Sequence, residues 1–291
     1  MPLSAPDRRN LPAIHLAVLL FGFTGLFARW IPLSPPLIVL GRVAFAALAL
    51  ALVMSTRKVP FRIAPVRDLL LCALCGAFLA VHWSSFFEAV RVSSVAVGLL
   101  AYATFPAFTV LLEPAVGGER LDATNLLFAG VTLFGVFLVV PRFALAEPVL
   151  RGVLWGLLSG ATFAVLAVLN RSLSRRQSSL RIAFYQDLFA GVALLPFLFD
   201  AIPRWTRRDL ALLAVLGVVC TALAHTLFIW GMRGVNAQTA SLVASLEPVY
   251  GILFALALLG EVPTVRTVLG GAIILGAVFL VTLRAAKSRA A

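Results

Sequence analysis

Glu247, Asp187 and Arg42 are ionisable residues set inside long apolar runs. Charge is costly in hydrocarbon, so an ionisable side chain in such a run faces protein or a water-filled path, and it is a candidate for handling substrate or protons. Glu247 is the first candidate for proton coupling and Asp187 the second. The alternative is a structural acid that caps a helix or pairs with Arg42. Pro106 stands near the middle of another apolar run, and Pro248 near the middle of the run that holds Glu247. A proline inside a helix removes one hydrogen bond and clashes with the preceding turn. If the helices break there, two half-helix ends with free N–H groups face the middle of the membrane, where a substrate carboxylate could dock. Ser245 lies just ahead of Pro248 and joins it as a candidate polar contact.

Phe78, His82 and Ser85 fall at i, i+4 and i+7, on one face of a helix, with Phe86 at its edge. Thr221, His225 and Phe228 repeat the spacing later in the chain. A polar face at membrane depth turns toward protein or water, so both histidines are candidates for the substrate path. Phe23, Phe27, Tyr102, Trp155, Phe163 and Tyr250 supply the aromatic surface from which a small-molecule cage is built. The substrate-contact set read from the residues is therefore Phe78, His82, Tyr102, Pro106, Trp155, Phe163, His225, Ser245 and Pro248. Trp30, near the end of a run, reads as an interfacial anchor, and Gly156 and Gly160 read as a small-residue packing pair.

The elements that carry these residues follow from composition. Of 291 residues 62% are hydrophobic and only 12% charged, which is too little polar surface to cover a fold in water. Polar or proline-rich breaks divide the chain into ten apolar stretches: 11–30, 35–54, 68–89, 93–113, 121–140, 151–170, 180–199, 209–231, 235–259 and 265–284. Each is near the roughly 20 residues that a bilayer crossing needs. The net charge of +12 sits in short breaks between these runs, so it reads as juxtamembrane charge rather than a nucleic-acid surface. Fifteen Lys and Arg fall on one side of the membrane and eight on the other, which places both termini in the cytoplasm. In that orientation Arg42 and Asp187 differ in depth by roughly 10 Å at about 1.5 Å per residue, which disfavours their direct pairing. Cys72, Cys75 and Cys220 are an odd number within apolar runs and indicate packing, not a disulfide framework.

A shift of 142 positions superposes Phe86 on Phe228, Arg91 on Arg233, Pro106 on Pro248, Gly118-Glu119 on Gly260-Glu261, and Val136-Phe137-Leu138-Val139 on Val278-Phe279-Leu280-Val281. Apolar helices in general match in Leu and Val, but not in Pro and Gly-Glu in one frame. Five spans per repeat invert the second copy relative to the first, an arrangement of secondary transporters. The expected fold is an all-α integral membrane protein of ten transmembrane helices in two inverted five-helix repeats. Its parts are a cytoplasmic N-terminus at 1–10, repeats at 11–141 and 150–284, and a cytoplasmic tail at 285–291.

The run Ser245-Leu246-Glu247-Pro248-Val249-Tyr250, then Leu259-Gly260-Glu261-Val262-Pro263 and Leu269-Gly270-Gly271-Ala272, resembles the drug/metabolite transporter superfamily, in particular its ten-helix EamA-type branch. Phe105-Pro106 and Gly118-Glu119-Arg120-Leu121 are the degenerate first-half copy, and Arg42 looks like that family's usual second-span Arg. The resemblance implies a transporter of the bacterial inner membrane, with structural roles for Arg42, Glu119 and Glu261. Aromatic-rich spans without an intramembrane Lys make the chain most similar to exporters of aromatic and other neutral amino acids. The first span holds no acid, unlike the small four-helix multidrug relatives. A drug or other metabolite exporter of the same fold is the alternative. An intramembrane enzyme is disfavoured, because H-E-x-x-H and G-x-S-x-G are absent from the sequence. The expected partners are a small-molecule substrate and membrane lipids, with no nucleic acid, cofactor or metal.

Overall fold

The computed structural model describes residues 10–112, 123–140, 142–174, 176–200, 205–231, 243–244 and 246–288, and their regular structure is helical. Long apolar sequence makes the helices, and prolines, glycines and small polar caps divide them. The chain runs through α1 (Asn10–Thr24), α2 (Phe27–Trp30), α3 (Pro35–Thr56), α4 (Val66–Val92), α5 (Val95–Tyr102), α6 (Phe105–Leu112) and α7 (Ala123–Val139). It continues through α8 (Pro148–Leu173), α9 (Ser179–Leu194), α10 (Phe197–Asp200), α11 (Arg207–Gly217), a π-helical turn (Val218–Leu223) and α12 (Ala224–Gly231). The last two helices are α13 (Glu247–Leu259) and α14 (Val265–Ser288).

Pro35 and Pro148 occupy first turns, where a missing N–H costs nothing. Ser94 and Ser178 cap α5 and α9 by accepting from Val97 N and Arg181 N, and Thr206 with Asp209 forms a capping box on α11. Gly260 ends α13 at φ 67°, a left-handed conformation that glycine adopts without strain. Among the described residues the expected continuous runs are interrupted between Thr24 and Phe27, at Ala103 and Thr104, at Leu195 and Pro196, and at Leu246. At the second break Pro106 has no N–H to give to Tyr102 O four residues earlier, so α5 ends and α6 restarts.

Among the described residues, Asn10–Trp30, Pro35–Thr56, Val66–Val92, Pro148–Asn170 and Arg207–Gly231 are long and apolar enough to cross a membrane, and shorter apolar helices accompany them. The outer surface is correspondingly greasy: Leu48, Leu52 and Leu70 are each more than 60% exposed, a surface suited to lipid rather than water.

Inside, α4 packs on α8 and α9, α3 on α9 and α11, α1 on α12 and α13, α5 on α8 and α13, and α7 on α14. The tightest seams use small residues. A Cβ on Gly76 would sit 2.6 Å from Phe189 Cβ and 2.9 Å from Ala190 N, so α4 meets α9 there almost backbone to backbone. Gly160 plays that part against the end of α5, where an added Cβ would lie 3.0 Å from Tyr102 O, and Gly156 rests on Ala101. These seams carry the polar residues of α4, α5, α8 and α9 into one core. Cys72, Cys75 and Cys220 are buried and unoxidised within it.

Candidate functional site

His82, on α4, is buried and faces α8 across the seam. Its Nδ1 lies 2.9 Å from both the carbonyl oxygen and Oγ of Ser159. A carbonyl only accepts, so Nδ1 carries the proton, and Nε2 on the opposite edge of the neutral ring is an acceptor. Around the ring stand Phe163 at 5.1 Å and Tyr102 at 5.4 Å between centroids. Phe105 closes the group, 5.5 Å from Tyr102 and 5.0 Å from Phe163. The break before Pro106 brings Tyr102 and Phe105 to one side, and Gly160 lets α8 approach closely enough for Phe163, three residues on, to reach them. The result is an aromatic box with one imidazole in it.

Glu247 opens α13 beside the box, is buried, and interacts electrostatically with Tyr102 and Arg42. An acid in a first turn matches the positive end of the helix. Pro248 follows it and is buried, as is Pro106 in the first turn of α6. The helix end expected to receive a substrate carboxylate at Pro248 thus already carries the Glu247 carboxylate.

The second group centres on Arg42, which is 1% exposed on α3. Its guanidinium carbon lies 3.9 Å above the Trp83 ring and 5.6 Å from that of Phe87. Nε donates to Thr221 Oγ1 at 3.0 Å, while Thr221 donates to Leu216 O at 2.8 Å. That second bond spans five residues and belongs to the π-helical turn, a local irregularity common at functional sites. Gly217, the residue before the turn, has room for no side chain against Phe45 and the Arg42 carbonyl, so the turn seats directly on α3. Trp83 links the two groups: its ring is 6.4 Å from His82 and 6.2 Å from His225. His225 is half-buried, and its Nδ1 has no hydrogen-bond partner among the described residues.

Asp187, on α9, is fully buried, and neither of its carboxylate oxygens has a hydrogen-bond partner among the described residues. It acts electrostatically on Arg42, as does Glu247, but no ion pair joins Arg42 to either acid among the described residues.

Other expected site residues are placed elsewhere. Trp155 is 41% exposed and shares the outer stripe of α8 with Arg151, Leu154 and Leu158. Phe78 is half-buried one turn before His82 and makes no ring contact with the box among the described residues. Phe23 and Phe27 form a separate cluster with Trp30, and Phe254 joins it through Phe23. Trp30 is thus packed as well as near a helix end. Glu261 sits in the turn after α13, where Oε1 accepts from Arg29 Nε at 2.8 Å and Oε2 from Val95 N at 2.9 Å. Ser245 and Glu119 lie outside the described residues.

Ser159, Phe105 and Trp83 are the parts of the site that the sequence did not single out. A lone serine in an apolar helix could have pointed to Ser159, because a buried hydroxyl needs a partner. Trp83 carried no signal of its own.

The EamA-like transporter family matches the chain twice, over residues 11–140 and 150–283. An Archaeoglobus fulgidus protein described as an uncharacterized transporter is 31% identical over 271 residues, covering 92% of this chain and 94% of its own. A probable terminal-alkyne amino-acid exporter of Streptantibioticus cattleyicolor is 28% identical over 257 residues, covering 84% and 83%. One solved crystal structure superposes with a TM-score of 0.70 at 20% identity over 97% of this chain and 99% of the other, a likeness of fold. The chain belongs to the EamA-like transporter family: it is a multi-pass membrane transporter and not an enzyme.

Proposed function

We propose that this EamA-like transporter exports aromatic and other neutral amino acids, or similar small metabolites, across the bacterial inner membrane by alternating access. The observation that carries the reading is the cluster of His82, Tyr102, Phe105 and Phe163, an aromatic surface with a few polar handles packed inside a membrane protein. The Streptantibioticus relative, named for an amino-acid substrate, supports the same class. The substrate site is formed by His82, Tyr102, Pro106, Phe163, His225 and Pro248.

The transporter is built of ten spans in two inverted halves, with both termini cytoplasmic. Two family matches of similar length support the halves. So does the packing: α4 lies on α8, and the shift of 142 residues turns that pair into α12 on α1, which also pack together. Helices α7 and α14, exchanged by the same shift, lie against each other. Rocking of one half against the other exposes the midplane site to each face in turn. Glu247 is the coupling residue, because it is a buried acid in the first turn of α13 that interacts electrostatically with Tyr102 of the box.

Uptake of radiolabelled phenylalanine, threonine and a nucleotide sugar into liposomes containing the purified protein tests the proposal. Phenylalanine flux above that of empty liposomes, accelerated by a pH gradient and made insensitive to it by Glu247→Gln, is expected. Nucleotide-sugar flux alone would remove the amino-acid reading.

A further inference from the structure

Arg42 and Asp187, on the packed helices α3 and α9, act on each other electrostatically but form no ion pair among the described residues. Arg42 is held along one edge by Thr221 and on one face by Trp83, which fixes the plane of its guanidinium. Its Nη1 is buried without a partner among the described residues. Asp187 is buried with both carboxylate oxygens unpartnered among the described residues. A buried charge that lacks a partner is strongly destabilising, and a helix pair is free to remove it by sequence change or to close the ion pair. Here α3 and α9 pack together and do neither.

A ligand that carries both signs on one small frame resolves this arrangement. Its anionic end would complete the Arg42 fork, and its cationic end would satisfy Asp187. An α-amino acid has this chemistry, since its carboxylate and ammonium are attached to a single carbon. The rest of such a ligand has somewhere to go, because Trp83, which carries Arg42 on its face, is next to the His82 ring and so to the aromatic box. Glu247 is the poorer partner for the ammonium, since it already interacts with Tyr102.

We propose that Arg42 and Asp187 are the two jaws of a zwitterion clamp, Arg42 Nη1 donating to the substrate carboxylate and Asp187 accepting from its ammonium, with the substrate side chain directed toward His82, Tyr102 and Phe163. This rests on the amino-acid reading above and specifies how the site recognises its substrate class. It gives Arg42 a substrate-contacting role in place of a structural one. It also gives the substrate carboxylate a guanidinium, not a half-helix end, as its anchor.

Competition experiments separate the clamp from the reading on which it rests. Uptake of radiolabelled phenylalanine into liposomes of phosphatidylethanolamine and phosphatidylglycerol is measured against unlabelled phenylalanine, phenethylamine, which lacks the carboxylate, and phenylpropionate, which lacks the ammonium. A site built around a polar group rejects analogues that lack it, so each should compete at least about tenfold more weakly than phenylalanine. In Arg42→Gln, phenethylamine should compete as well as phenylalanine does, and Arg42→Lys should restore part of the discrimination. In Asp187→Asn the same equality should appear for phenylpropionate. If either variant fails to fold, the analogue series on the unaltered protein still decides. Equal competition by phenethylamine or phenylpropionate in the unaltered protein would overturn the clamp while leaving amino-acid transport intact. Absence of phenylalanine uptake would remove the amino-acid reading and the clamp together.

Discussion

Glu261 and Asp187 are both acids close to an arginine, and the fold treats them in opposite ways. Glu261, at the end of α13, spends both oxygens: one on Arg29 Nε and one on the N–H of Val95 that opens α5. Arg29 passes the connection on, donating to Ser93 O at 2.8 Å, so one cluster ties α2, the end of α4, the start of α5 and the turn after α13. Asp68, at the other end of α4, is similar: it pairs with Arg176 at 3.0 Å and accepts from Gln177 Nε2 at 2.8 Å. Asp187, deep in the core, has no such partner among the described residues. Charges at helix ends find water, capping N–H groups and arginines in short connections, and there they fasten the structure. In the interior the desolvation cost is greatest, and there the charges are left open. The first kind holds the bundle together, and the second is available to a substrate.

Substitutions should divide along that line. The largest loss of stability is expected for Asp68→Leu, which removes one acceptor of Gln177 Nε2 and the ion-pair partner of Arg176. A broken buried pair costs about 3 kcal/mol or more, reduced to about 2 because Arg176 is partly exposed. A lowered unfolding temperature in detergent, with phenylalanine flux per folded molecule preserved, is the expected result. Glu261→Ala comes next, at about 1 to 2 kcal/mol from one helix cap and one partly exposed ion pair. Glu261→Gln should recover the part due to the cap, because an amide oxygen still accepts from Val95 N, and comparing the two unfolding temperatures separates cap from ion pair. Ser159→Ala should cost under about 1 kcal/mol, since His82 keeps the Ser159 carbonyl as acceptor. His82→Ala, by contrast, should abolish most export, as measured in cells at matched abundance.

Much of this division was legible in the sequence, because it rests on local chemistry. Pro106 signalled a helix break, since its ring removes a hydrogen bond whatever surrounds it, and the break between the stretches 235–259 and 265–284 placed Glu261 in a connection. The inner face of α8 was not legible. That helix is apolar nearly all round, and in a bilayer an apolar residue suits lipid and core equally, so nothing local distinguished outward Trp155 from inward Phe163. Nor did spacing bring Arg42 to Trp83 and Thr221, which lie on other helices and meet it only through tertiary packing. The expectation that Arg42 and Asp187 do not pair directly agrees with the lack of an ion pair between them among the described residues.

Asp187→Asn carries the smallest expected change in stability and the most information. Removing a buried acid whose oxygens have no hydrogen-bond partner among the described residues should leave the unfolding temperature unchanged or raise it, whereas losing the acceptor for the substrate should cut transport. Measuring both on one purified preparation, the unfolding temperature in detergent and phenylalanine flux after reconstitution, tests the central claim most directly. An unfolding temperature at or above that of the unaltered protein, with flux reduced about tenfold or more, is the predicted result. A clearly lowered unfolding temperature with flux intact would contradict it and make Asp187 one more structural acid.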